Sequence, residues 1–102
     1  MIYRVTSVNV RPGKQTEAQE VSKKLVAYLK EHYTEINAQV LSSIDGSTNH
    51  WHYVDTHDSL GAFEETMNKV GEDSELQAIQ SEVRDAFDMD NRELHFYRVV
   101  AS

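Results

Sequence analysis

Cysteine is absent from the 102-residue sequence. That excludes a disulfide framework, a thiolate nucleophile and a zinc–thiolate site. It fits a reducing compartment, so a cytoplasmic location is expected. Proline occurs once and glycine four times, and no linker, repeat or low-complexity segment interrupts the chain. No apolar run approaches the roughly 20 residues that span a bilayer, and the opening MIYRVTSVNV alternates instead of forming a signal-like apolar block. Positive charge is scarce: 10 Lys and Arg stand against 17 Asp and Glu, a formal net charge of −7. The resulting field repels phosphate backbones and anionic headgroups, so neither nucleic acid nor a membrane surface is an expected partner.

What is present suffices for a core. Hydrophobic residues make up 39% of the chain, and acidic residues are scattered among them, which argues against disorder. The length suits one domain over 1–102. MIYRVTSVNV is β-rich and ends at Pro12 and Gly13, as a strand would. Thr16 and Gln19 have capping-box spacing, and Ala18, Val21, Leu25, Tyr28, Leu29 and His32 recur at helical spacing, which predicts a helix over about 15–33. INAQVLSSID and HWHYVDT read as a hairpin joined by a short polar turn. Asp58 and Ser59 can cap a helix carrying Leu60, Phe63, Met67 and Val70 on one face up to Gly71. A second start at Asp73 and Ser74 leads into Leu76, Ile79, Val83 and Phe87. ELHFYRVV supplies the last strand.

The order βαββαβ predicts an α+β, ferredoxin-like fold: one antiparallel four-stranded sheet, helices on one face, and the second helix in two pieces. The other sheet face is then bare. A patch of that size is rarely left exposed, so a second copy of the chain is the expected cover, giving a homodimer.

The stretch NHWHYVDTHD at 49–58 concentrates three of the five histidines and the single tryptophan. Strand alternation sends His50, His52 and Val54 to one face and Trp51, Tyr53, Asp55 and His57 to the other. His50 and His52 could share a metal with a third ligand, but none can be assigned. The cupin pattern fails as well, because Ile44 stands where its glycine should be and Thr56 or His57 where its glutamate should be. Asp88 and Asp90 have calcium-loop spacing, yet Arg92 occupies the next ligand position and the glycine is missing. No phosphate loop, G-x-S-x-G or H-E-x-x-H occurs. No metal and no cofactor is expected.

With its joins VRPGK at 10–14 and HYVDTHDSLGAFEE at 52–65, the chain resembles the dimeric α+β barrel superfamily. That superfamily includes antibiotic-biosynthesis monooxygenases, stress-responsive A/B barrels and NIPSNAP-type domains. The resemblance covers nearly the whole chain and implies a homodimer of ferredoxin-like protomers, each with a pocket between sheet and helices. It does not fix an activity, since the superfamily hosts oxygenases, isomerases and haem-degrading enzymes. Haem-degrading members carry an asparagine, a tryptophan and a histidine where Ser7, Thr66 and Gln80 stand here, which removes most support for that activity. His57 falls where many relatives have a strand-end tryptophan.

The family pattern turns Trp51, Tyr53, Asp55 and His57 towards the pocket. His95 and Tyr97 are added from the last strand, because Leu94 and Phe96 look like its core side, and Tyr3 and Ser7 from the first. Trp51 and Tyr53 read more as packing residues than as ligand contacts. Asp55 could hold His57 in one tautomer and make it a general base, although a histidine beside a helix start can also be a solvated residue. The leading expectation is an uncharacterised homodimeric barrel protein that binds a small apolar or aromatic molecule. One alternative is a cofactor-independent monooxygenase-like enzyme, with His57, His95, Tyr97 and Arg98 as donors to a substrate anion and Trp51 as a flat wall. Another is a non-catalytic assembly module with a filled interior.

Overall fold

The computed structural model describes residues 1–46 and 48–102. Ser47, inside the turn expected between the second and third strands, lies outside the described residues. The elements are β1 (Ile2–Asn9), α1 (Gln15–His32), β2 (Asn37–Ser42), β3 (His50–His57), α2 (Leu60–Gly71), α3 (Ser74–Ala86), a 3-10 turn at Met89–Asn91, and β4 (Glu93–Arg98). The four strands form one antiparallel sheet in the order β2-β3-β1-β4, so the α+β ferredoxin-like expectation holds, including the break of the second helix after Gly71.

Local chemistry explains most of the joins. Lys14 N donates to Arg11 O at 3.0 Å across Pro12 and Gly13, and Gly13 has φ 77°. Proline then glycine with positive φ is the residue order that a type II turn requires. The turn delivers the chain into α1 so early that Thr16 lies inside the first helical turn. The helix-start position is Lys14, without a side-chain cap, and the expected Thr16 capping box does not form. Ser59 caps α2 by accepting from Ala62 N at 3.1 Å, while Asp73 caps α3 by accepting from Leu76 N at 3.0 Å.

Asp73 also accepts the hydroxyls of Tyr28 (2.7 Å) and Tyr33 (2.8 Å), tying the end of α1 to the α2–α3 corner. The Leu76 amide, followed by the Tyr28 hydroxyl, holds the Asp73 carboxyl below its ordinary range. Reciprocally, the hydrogen bond to Asp73, with burial behind it, raises Tyr28. Burial and then the same carboxylate push Tyr33 up to about 12.

Paired residues in an antiparallel sheet share a face, and the register therefore sorts every strand. Ile2, Arg4, Thr6 and Val8 pair with His57, Asp55, Tyr53 and Trp51 on β3. Ala38 and Val40 pair with Asp55 and Tyr53, and Phe96 and Leu94 pair with Arg4 and Thr6. This face meets the helices: Val8 and Val10 pack with Ala18, Val21, Ile79, Val83, Ala86 and Phe87, and Trp51 and Tyr53 lean on that cluster. Tyr3, Val5, Ser7, His52, Val54, His95 and Tyr97 occupy the opposite face, away from the core that the helices build among the described residues. Leu94 and Phe96 are on the helix side as expected, yet they stay 47% and 46% exposed. Their strand is an edge, and although Phe63 reaches Phe96 at 5.3 Å between ring centroids, the strand remains open to solvent.

Candidate functional site

The helix face of the sheet is not filled along its whole length. Where β2, β3 and β1 pass beneath α1 and the α2–α3 corner, the floor is built from Thr6, Ala38 and Val40, which stand low. A cavity of about 410 Å³ remains there, lined on the helix side by Leu25, Leu29, Val70 and Leu76 and elsewhere by Met89. Close packing is the rule in protein interiors, so an opening of ligand size against a packed core is the feature that needs an explanation.

Its polar lining includes the pair Arg4–Asp55 together with Arg84, Arg92, Gln39 and Gln80. Arg4 Nε donates to Asp55 Oδ1 at 3.1 Å, and both residues line the cavity. The guanidinium lies 5.2 Å from the Phe63 ring centroid, with Nη1 3.6 Å from Met67 Sδ. The other carboxylate oxygen of Asp55 is bound by His57 Nε2. His57 is 1% exposed, and its ring meets Phe63 edge-on at 5.1 Å between centroids. His57 Nδ1 is buried, and no group hydrogen-bonds to it among the described residues. The chain His57–Asp55–Arg4 thus runs from the interior to the cavity wall. Asp55 has both oxygens fixed and is the group that can accept a proton or a hydrogen bond from a ligand.

The residues expected at the site divide between the two faces. Trp51, Tyr53, Asp55 and His57 all face the helices, but only Tyr53 and Asp55 line the cavity. Trp51 packs edge-on against Phe87 at 5.6 Å and donates Nε1 to Thr48 O at 2.9 Å. Tyr53 also packs on Phe87, at 5.3 Å, and its hydroxyl meets Ser22 Oγ at 3.1 Å. Burial pushes the Tyr53 hydroxyl up to about 12, against a smaller opposing pull from Ser22, so it is a neutral hydrogen-bonding group at the cavity. His57 stands behind Asp55, out of reach of anything in the cavity.

Tyr3, Ser7, His95 and Tyr97 are on the uncovered face, away from the cavity between sheet and helices. The physical reason is pairing: Ser7 registers with His52, and its hydroxyl meets His52 Nδ1 at 2.7 Å. His50 Nδ1 and Asn9 Oδ1 are similarly joined at 2.9 Å. Arg98 pairs with Ile2 at the far end of the helix face. Arg4, Arg84 and Arg92 line the cavity and were not among the expected site residues. The available signal was Arg4 itself, a charged side chain in the alternating series Ile2, Arg4, Thr6, Val8 whose other members turn inward.

No protein-family model matches the sequence, and no curated protein matches it. The fold has clear counterparts among solved structures. A NIPSNAP domain protein from Burkholderia xenovorans superposes with a TM-score of 0.80 at 13% identity, covering 99% of this chain and 96% of that one. The two chains share one fold. A NIPSNAP family protein with unknown function from Agrobacterium tumefaciens gives 0.77 at 17% identity, over 95% of this chain and 86% of its own. A variant of SnoaB, a cofactor-independent oxygenase from Streptomyces nogalater, gives 0.74 at 12% identity, over 99% and 94%. The expected resemblance to the dimeric α+β barrel proteins therefore holds at the level of fold.

Proposed function

We propose that the chain binds a small apolar or aromatic molecule in the cavity between sheet and helices, with the Arg4–Asp55 pair as one of the polar contacts that orient it. The observation that carries this reading is a mostly apolar chamber of about 410 Å³ with a charged pair held at its wall. The volume lies in the range of small-molecule pockets, about 300 to 1,000 Å³. It also speaks against an assembly module with a filled interior. N-phenyl-1-naphthylamine, a neutral fluorophore that brightens in apolar surroundings, should bind the protein. Ala38→Phe, which raises a ring from the β2 floor into the cavity, should abolish that signal while the circular dichroism spectrum stays unchanged. Equal binding by this variant would mean that the probe sits elsewhere and would remove the reading.

A second reading is a cofactor-independent oxygenase, favoured by Asp55 facing the cavity with a 10% exposed side chain and by the shared fold with SnoaB. Asp55 would take a proton from an acidic C–H or O–H of the ligand, and Arg4 would stabilise the anion left behind. Dioxygen from solution would then accept electrons from that anion. His57 is a positioning residue in this scheme, since it reaches the ligand only through Asp55.

Homodimerisation through the uncovered sheet face is part of the proposal, as is a cytoplasmic location, suggested by the lack of cysteine. Tyr3, Leu41 and Tyr97 are 36%, 47% and 54% exposed, around a centre formed by Val5 and Val54. A standard interface buries about 1,600 Å², and the protein should sediment as a dimer at micromolar concentration. Val5→Asp, a charge at the centre of that face, should yield monomers. A wild-type monomer in analytical ultracentrifugation would exclude the barrel assembly.

A further inference from the structure

We infer that the molecule bound in the cavity is an acid, its apolar body inside and its carboxylate held at the mouth by Arg84 and Arg92. The inference rests on the small-molecule reading above and deepens it. Three of the chain's five arginines line this cavity, against one of its seventeen acidic residues, Asp55. Arg4 is matched by Asp55. Arg84 and Arg92 have no carboxylate within ion-pair distance among the described residues. The lining itself carries three guanidinium charges against one carboxylate, with Asp85, Asp88, Asp90 and Glu93 in the same stretch of chain but outside the lining, and a local excess of positive charge attracts anions.

The geometry suits a carboxylate. Arg92 is anchored by Nη1 donating to Met89 O at 2.8 Å, and Met89 itself lines the cavity. Arg84 is fixed at its backbone, where its carbonyl accepts from Arg11 Nε at 3.2 Å, while its guanidinium makes no side-chain hydrogen bond among the described residues. Gln80 lies one turn before Arg84 on α3 and lines the same cavity, adding a neutral donor beside it. Guanidinium forks bind carboxylates bidentately, and such charge-assisted bonds are stronger than neutral ones.

The test uses a matched pair of probes, 2-naphthoate and 2-naphthamide, measured by calorimetry on the wild-type protein and on the Arg84→Gln, Arg92→Gln double variant. Naphthoate should bind the wild type at least about tenfold more tightly than the amide. The double variant should lose that preference while its affinity for the amide stays the same, and added salt should weaken naphthoate alone. A second variant, Arg84→Lys with Arg92→Lys, should keep part of the preference, because the charge remains and only the fork is lost. Equal binding of both probes to the wild type, or a preference that survives Arg84→Gln, Arg92→Gln, overturns the acid assignment and leaves the cavity reading standing. Failure of both probes to bind the wild type overturns the cavity reading itself.

Discussion

Asp55→Ala is expected to cost about 3 kcal/mol or more of stability, because removing one partner of a buried charged pair strands the other. The loss is compounded here, since Asp55 serves two groups at once. Arg4 would keep a positive charge at a 27% exposed site with no carboxylate beside it, and His57 would have both ring nitrogens buried without a hydrogen bond. Urea unfolding monitored by circular dichroism reads the change directly. A control separates charge from packing: replacing all three groups by apolar ones, Arg4→Met with Asp55→Leu and His57→Phe, should recover most of the stability. Were Asp55→Ala as stable as the wild type, the three groups would not form the coupled unit described above.

Phe87→Ala should have an effect of similar size for a different reason. Phe87 is 0% exposed at the end of α3, with Trp51 and Tyr53 both edge-on to its ring. It also sits at the bridge that ties α3 to the end of β1 through Val10. Truncating a buried phenylalanine costs about 3 to 5 kcal/mol from lost transfer energy and the cavity left behind. A domain of this size is held by only about 5 to 15 kcal/mol, so the variant should be close to unfolded at physiological temperature. Trp51 is the chain's single tryptophan, so its fluorescence should shift towards the red in this variant as its neighbour disappears. An unchanged melting temperature with unchanged emission would mean that the ring contributes little to the core.

Both effects spring from NHWHYVDTHD, whose alternation was legible from the start. That Trp51, Tyr53, Asp55 and His57 share a face follows from the two-residue period of a strand, a property of the backbone alone. The caps at Ser59 and Asp73 and the turn at Pro12 and Gly13 were legible for a similar reason, because each is settled by bonds within a few residues. Thr16 marks the edge of such inference: its spacing suits a cap, but the preceding turn starts the helix before it can act.

Between strands the sequence carried much less. Alternation says which residues of β1 go together, but whether Tyr3 and Ser7 or Arg4 and Thr6 turn to the helices depends on register with β3, and a one-residue slip exchanges the faces. That register is a property of pairing between segments 41 to 55 positions apart, set by Val8 and Val10 joining Phe87 and α1 in the core. The same long-range choice put His95 and Tyr97 on the open face and brought Arg4 to Asp55. The position of His57 was set by packing: Phe63 meets its ring edge-on and the side chain is buried, so Asp55 rather than His57 lines the cavity. Periodicity and capping are written in neighbouring residues and could be read from them. Register, enclosure and the meeting of distant charges belong to the folded chain, because each is the joint outcome of segments that no local pattern connects.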